Sequence, residues 1–154
     1  MAVKQVYAGP LTASDATQLE ELGTLRVEAD GKVYKYGQAD TSLIIGYVCG
    51  HSSTAGTGRG KFSPDISECT PNRDPAGIAL ATISDEHFCY VQVEGKNTNV
   101  KTDGGVAAGE KLTWSADMVA DTSLAASTSI SFGVSILADS GSIATRVVLS
   151  CQKY

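Results

Sequence analysis

HFCYVQVEGKNTNVKTDGGVAAGEKLTWSADMVAD, residues 87 to 121, decides the fold class. Cys89, Val91 and Val93 alternate with Phe88, Tyr90 and Gln92, a period of two that belongs to a strand, and apolar residues on both faces place that strand in the middle of a sheet. KNTNVKTDGG carries turn and short-strand signals. VAAGEKLTWSADM then resumes as a strand with Leu112 and Trp114 on one face, Trp114 serving as a core or intersheet anchor. No residue set in the stretch has a catalytic arrangement.

Working outward, the same period recurs. ISFGVSIL puts Ile130, Phe132, Val134 and Ile136 on one face, and IATRVVLSCQ does the same for Ile143, Thr145, Val147, Leu149 and Cys151, with ADSGS turning between them. VADTSLAAST reads as a polar linker. Upstream, IALATI (78 to 83) pairs with FCYVQVEG (88 to 95) through SDEH, and SLIIGYVCG (42 to 50) is an apolar run of buried-strand length. Between these lies a segment rich in Gly, Ser, Thr, Pro and Asp. It predicts a long exposed loop over 51–76 that carries Arg59 and Phe62.

LRVEADGKVYKY contains Asp30-Gly31, the preferred two-residue hairpin loop. Pairing outward from it sets Ala29 opposite Lys32, Val27 opposite Tyr34 and Leu25 opposite Tyr36. One face then carries Leu25, Val27, Tyr34 and Tyr36, and the other Arg26, Glu28 and Lys35. SDATQLEELG offers Ser14 or Thr17 as a cap, Glu20 for a capping box and Gly23 as a stop, which predicts one short helix at most. Residues 1–13, with Val6, Tyr7 and Leu11, read as an extended N-terminal arm. The expectation is an all-β single domain over 14–154, a β-sandwich or jelly-roll-like barrel of about eight antiparallel strands.

Composition narrows the function. A net charge of -5 with a pI near 4.9 disfavours wrapping nucleic-acid phosphates, so no direct nucleic-acid contact is expected. No stretch has the length of a signal peptide's apolar core or of a membrane span, so synthesis in a cytoplasm and no membrane partner are expected. Cys49, Cys69, Cys89 and Cys151 form no paired motif and read as buried thiols, with a Cys49–Cys69 disulfide as the sharper alternative. Cys49 and His51 make half a metal site that nothing completes, and GTGRGK lacks the residues and the helix of a phosphate-binding loop. Ser52 or Ser53 beside His51, and Asp85-Glu86-His87, lack the spacing that fixes a nucleophile on an oriented base. Scattered carboxylates at Asp103, Glu110, Asp117, Asp121 and Asp139 read as turn caps. No enzymatic activity, cofactor or metal is expected.

Gly77 to Leu112 resembles the core of tailed-bacteriophage capsid decoration (cement) proteins. The shared features are a strand ending in V-x-G, here Val93-Glu94-Gly95, and a V-A-A-G-[DE]-x-L segment, here Val106 to Leu112. LGTLRVEADGKVYKYGQA is similar to the opening of such proteins, and GVSILADSGSIATRVVL to their closing hairpin. The resemblance implies a virion protein made in the host bacterial cytoplasm and bound to the outside of the assembled head. Its partners would be the major capsid protein and its own copies in a homotrimer. Contacts are expected from the arm (Val6, Tyr7, Leu11), the hairpin (Leu25, Tyr34, Tyr36) and the long loop (Arg59, Phe62). The competing reading is a glycan- or host-surface-binding β-sandwich module of a phage fibre or head appendage, using Tyr34, Tyr36, Tyr90 and Trp114.

Overall fold

The alternating pattern is realised as strands throughout the computed structural model, with no helix among the described residues. Those residues are 9–53, 60–65, 67–69, 75–102, 104–116, 119–121, 131–135, 143–144 and 147–151; at 115–116, 119–121, 131–132 and 143–144 only the backbone is described. In chain order the strands are β1 (Ser14–Asp15), β2 (Leu25–Val27), β3 (Val33–Ala39), β4 (Val48–His51), β5 (Lys61–Ser63), β6 (Pro75–Ala79) and β7 (Phe88–Asn97). They continue as β8 (Val100–Lys101), β9 (Lys111–Ala116), β10 (Val119–Asp121), β11 (Ser131–Ser135), β12 (Ile143–Ala144) and β13 (Val147–Ser150).

Strand β7 has 10 residues, a span of about 33 Å. Along one edge it pairs with β3, from Gln38↔Phe88 to Val33↔Glu94. Along the other it takes three partners in succession: β1 at Phe88 and Cys89, β6 at Val91 and Gln92, and β13 from Glu94 to Asn97. From β6 the pairing runs through β4 and β5 back to β3, closing a five-strand ring. The β3–β5 contact is parallel, and every other pairing in the ring is antiparallel. From β13 the sheet continues outward through β11 and β9 to β10 as a wing, while β8 and β12 form a separate pair.

One apolar core serves ring and wing together. Val48, Phe62, Ile78, Val91 and Val93 from the ring are fully buried in the same cluster as Leu112, Trp114, Val147 and Leu149 from the wing. Each such side chain contributes about 1.5–3 kcal/mol by leaving water. Close approach is built in where it is needed: a Cβ on Gly37 would lie 2.6 Å from the Phe62 ring, so Gly37 is what lets that ring fill the barrel. Both faces of β7 are covered, as the sequence pattern requires of a central strand.

Three connections repeat one device. Buried Leu43, Ile83 and Val106 each lead into a turn closed by a backbone bond three residues long: Tyr47 N to Ile44 O, His87 N to Ser84 O and Glu110 N to Ala107 O. The third turn residue has positive φ in every case, Gly46 (83°), Glu86 (59°) and Gly109 (85°), which matches a type II turn. Strands β4, β7 and β9 follow within two residues. Leu43 and Ile83 also exchange both backbone bonds, so two of the turns are tied to each other.

Several local expectations change. Glu28 N donates to Lys32 O and Gly31 N to Glu28 O, so the hairpin loop is the three residues Ala29–Gly31 with Gly31 at φ 82°, the turn-plus-bulge form. The extra residue shifts the register by one, pairing Leu25 with Lys35, Arg26 with Tyr34 and Val27 with Val33. The expected dry face is therefore split. Leu25 joins the Val33 side, Tyr34 and Tyr36 lie on the opposite one with Arg26, and Val27 is exposed. SDATQLEELG forms β1 and turns instead of a helix, because its backbone bonds across to β3: Gly23 N donates to Tyr36 O, and Tyr36 N to Thr24 O. The 42–50 run is not one strand; Ile44 and Ile45 sit exposed in the first repeated turn.

The 51–76 segment is not simply an exposed loop, since its β5 closes the barrel with Phe62 wholly buried. In the C-terminal hairpin Val147, Leu149 and Cys151 point inward as expected, but Val134 pairs with Val148 and both are exposed, so β11 turns its small residues Gly133 and Ser135 to the core. Of the arm, residues 9–13 are docked and not extended; Ala13 N donates to Pro10 O in a turn. Val6 and Tyr7 lie outside the described residues.

The repeated turns yield a matched pair of substitutions. A Cβ at Gly46 would collide with the carbonyl oxygen of Asn99 on top of the positive φ, whereas at Gly109 it would meet open space. Gly109→Ala is expected to cost about 1 kcal/mol, the left-handed penalty alone, and Gly46→Ala at least about 2 kcal/mol. Urea midpoints of the two variants check this.

Candidate functional site

The β3 face that carries Tyr34 and Tyr36 packs with Tyr90 of β7 into a second cluster on the outside of the ring. Tyr36 meets Tyr90 edge-on at 5.2 Å between ring centroids and stacks with Phe88 at 6.2 Å. The 9–24 segment roofs this cluster: Leu11 and Leu22 pack on it, Leu19 N donates to the Tyr36 hydroxyl at 3.0 Å, and Arg26 Nη1 donates to Gly9 O at 2.8 Å. The Arg26 guanidinium also lies 5.9 Å from the Tyr90 ring centroid. Tyr34, Tyr36 and Phe62 are thus taken up by the chain's own packing, at 6%, 4% and 0% exposure, and Leu11 and Leu25 are half-buried. Trp114, a candidate for glycan stacking, is core at 1%. Arg59 lies outside the described residues.

Polar residues gather at the ring's interior and at one end of it. Lys35 shares the inward side of β3 with Val33 and Ala39, is 2% exposed, and places Nζ 3.4 Å from Nε2 of His51. An ammonium can only donate, so this contact requires Nε2 to be the unprotonated nitrogen. The hydroxyl proton of Ser52 goes to Asp40 (2.5 Å) and that of Ser53 to Glu68 O (2.5 Å), so neither serine is aligned on His51 as a nucleophile. Lys61 joins Asp40 and Glu86, each at 3.2 Å, and Glu86 also accepts from the Gln38 amide at 2.8 Å. These bonds tie β3, β4, β5 and the Ser84–His87 turn together. Their role is to fix the end of the barrel, and they explain why Glu86 holds a backbone conformation that favours glycine.

The hydrogen bond from Ser52, and behind it that from Lys61, hold the Asp40 carboxyl below the usual carboxylate range against the opposing effect of burial. All four cysteines are free and buried, so the Cys49–Cys69 bridge is not formed. Burial pushes the thiols of Cys69 and Cys89 up to about 12 and holds that of Cys49 well above its ordinary value. No grouping of His, Cys, Asp and Glu suited to a metal ion occurs among the described residues.

The surface left open is elsewhere. On the wing Val134 and Val148, cross-strand partners, are 40% and 45% exposed, with Lys111 opposite Val134 and Lys96 opposite Val148. The alternation leaves Val148 opposite the inward Val147 and Leu149 but puts Val134 inward with Phe132, and an irregularity against β9 between Ser131 and Gly133 turns Val134 outward.

Two consequences are measurable. Asp40's depressed carboxyl adds stability above the unfolded value near pH 4 that fades as pH falls through the lower folded value. Asp40→Asn is therefore expected to lower the urea midpoint at pH 7 and to narrow its difference from the parent chain at pH 3. The four thiols are expected to stay silent to an aromatic disulfide reagent at pH 8 in the folded chain and to react fully in denaturant.

Neither a protein-family model nor a curated protein sequence matches the chain. Among solved structures the chain is similar to the head fiber gp8.5 N base of bacteriophage phi29, with a TM-score of 0.54 and 17% identity over 80% of this chain and 99% of that one. At that identity the likeness is one of fold: the ring and its added strands are an architecture that a phage head-fibre base also uses.

Proposed function

We propose that the chain is a structural virion protein of a tailed bacteriophage, a decoration module bound to the outside of the assembled head. The observation that carries this reading is the likeness to a head-fibre base over almost the whole of that chain. The sequence resemblance to capsid decoration proteins supports it from a separate direction. A module that binds the assembled shell and not its free subunits stabilises the shell by mass action, and it does so most effectively by straddling two major-capsid subunits. Such a role needs a rigid scaffold with an exposed contact face.

The Val134–Val148 pair with its flanking lysines is that face in this reading, set against an acidic rim on the major capsid protein. Residues 1–8, with Val6 and Tyr7, add a second contact, and a homotrimer multiplies both. Leu11, Leu25, Tyr34, Tyr36 and Phe62 serve the scaffold that carries these surfaces. A second reading, the base of a head appendage that carries a fibre, has the phi29 neighbour in its favour.

Co-sedimentation with expanded heads tests the proposal, with saturable binding expected and its absence, together with absence from purified virions, contradicting it. Val134→Glu leaves the core untouched and is expected to weaken head binding at least tenfold with an unchanged thermal midpoint. Removing residues 1–8 keeps Gly9 and Leu11, hence the roof over the tyrosines. That shortened chain is expected to fold like the parent and to bind heads more weakly; unchanged binding removes the arm from the interface.

A further inference from the structure

A cleft of about 410 Å³ opens on the outer side of the ring, between the β2–β3 hairpin, the Ile44–Tyr47 turn and the bend after β7. That volume lies within the range of about 300–1,000 Å³ typical of small-ligand sites. Its floor is already organised. The Gln92 amide donates to the carbonyls of Glu94 and Lys96, both at 3.2 Å, and accepts from Asn97 Nδ2 at 2.9 Å. Asn97 Oδ1 in turn accepts from Asn99 N at 2.7 Å. Gln92 and Asn97 are 3% and 7% exposed, so the floor does not have to reorder when something settles on it.

Above this floor the groups are unspent. The Tyr34 hydroxyl, the Lys96 ammonium, the Thr98 hydroxyl and the Asn99 side-chain amide all line the cleft, and none makes a hydrogen bond with a described residue. Lys32 adds a second cation, shared with Asp30 at 2.6 Å. Among the described residues no carboxylate lines the cleft, although acidic residues outnumber basic ones by 17 to 12 in the chain. Ile45, 41% exposed, and Leu80 supply an apolar wall facing these donors.

We propose that this cleft binds a short acidic saccharide, one whose ring carries a carboxylate or a phosphate. The apolar wall suits the C–H face of a sugar ring, the hydroxyl and amide groups suit its hydroxyls, and Lys96 with Lys32 selects the charged substituent. An acidic peptide is the less suitable ligand. Peptides add to an open strand edge, and beneath this cleft Tyr34 of β3, Ala79 of β6 and Gln92 of β7 are all paired within the ring. The site shares Lys96 with the proposed shell-binding face but does not depend on that reading, since it asks only for a ligand that the free chain binds in solution.

The test is titration of the full-length chain by calorimetry and by backbone amide shifts, using trigalacturonate for the carboxylate, glucose 6-phosphate for the phosphate, maltotriose as the neutral sugar and hexaglutamate as the peptide. Saturable binding of at least one anionic sugar, with shifts centred on Tyr34 and on residues 96–99, is the expected result. That affinity should fall at least fivefold in Lys96→Gln and in Asn99→Ala without a change in thermal midpoint, and it should weaken with added salt. Maltotriose and hexaglutamate should bind at least fivefold more weakly. Failure of both anionic sugars to bind, equal binding of maltotriose or hexaglutamate, or variants that bind like the parent would each overturn the proposal.

Discussion

One strand carries two structures. Strand β7 is paired by β3 along one edge from Phe88 to Glu94 and by β1, β6 and β13 in turn along the other. Its first part closes the ring and its last four residues, Glu94 to Asn97, launch the wing. Because Val91 and Val93 face a core shared with Leu112, Trp114 and Leu149, neither part can bury its apolar side chains without the other. The molecule's geometry follows from that constraint: the ring's outer side, the wing's solvent face and the bend after β7 meet where Lys96 lies.

The same constraint sorts the side chains by role. Aromatic residues that would make attractive contact groups are consumed by the scaffold, Tyr36 and Tyr90 beneath the 9–24 roof and Phe62 and Trp114 within the core. The polar network around Asp40, Lys61 and Glu86 is spent on holding strand ends together. Among the described residues the large apolar side chains left exposed are few: Leu19, Val27, Ile44 and Ile45 on the ring, and Val134 and Val148 on the wing. Rigid presentation favours a structural binding role because little conformational entropy is lost when such a surface docks. Binding energy can then go into holding neighbouring shell subunits together.

Much of this was legible in the sequence where the period of two was uninterrupted. Cys89 to Val93, Leu112 with Trp114, and Val147 with Leu149 and Cys151 all take the faces the alternation assigns them. It failed where one residue of backbone decides the outcome. Asp30-Gly31 suits a two-residue loop, yet Glu28 and Lys32 close a three-residue one, and the single-residue slip sent Tyr34 and Leu25 to opposite faces. In SLIIGYVCG the positive φ of Gly46 turns the chain before the strand begins. The threefold turn was hidden because its second copy uses Glu86 where the others use glycine, held there by contacts to Gln38 and Lys61 that are remote in sequence. Ring closure by β5 was hidden for a similar reason, since a three-residue strand with two parallel pairs in a Gly- and Ser-rich stretch leaves no periodic trace.

If β7 couples ring and wing as described, the two parts open as one unit. Native-state hydrogen exchange measures this directly, through the opening free energies of amides in β3, β7, β11 and β13. A single value, equal to the global unfolding free energy, is the predicted result. Wing amides at Gly133 and Val148 that open at markedly lower free energy while β3 and β7 stay closed would contradict it.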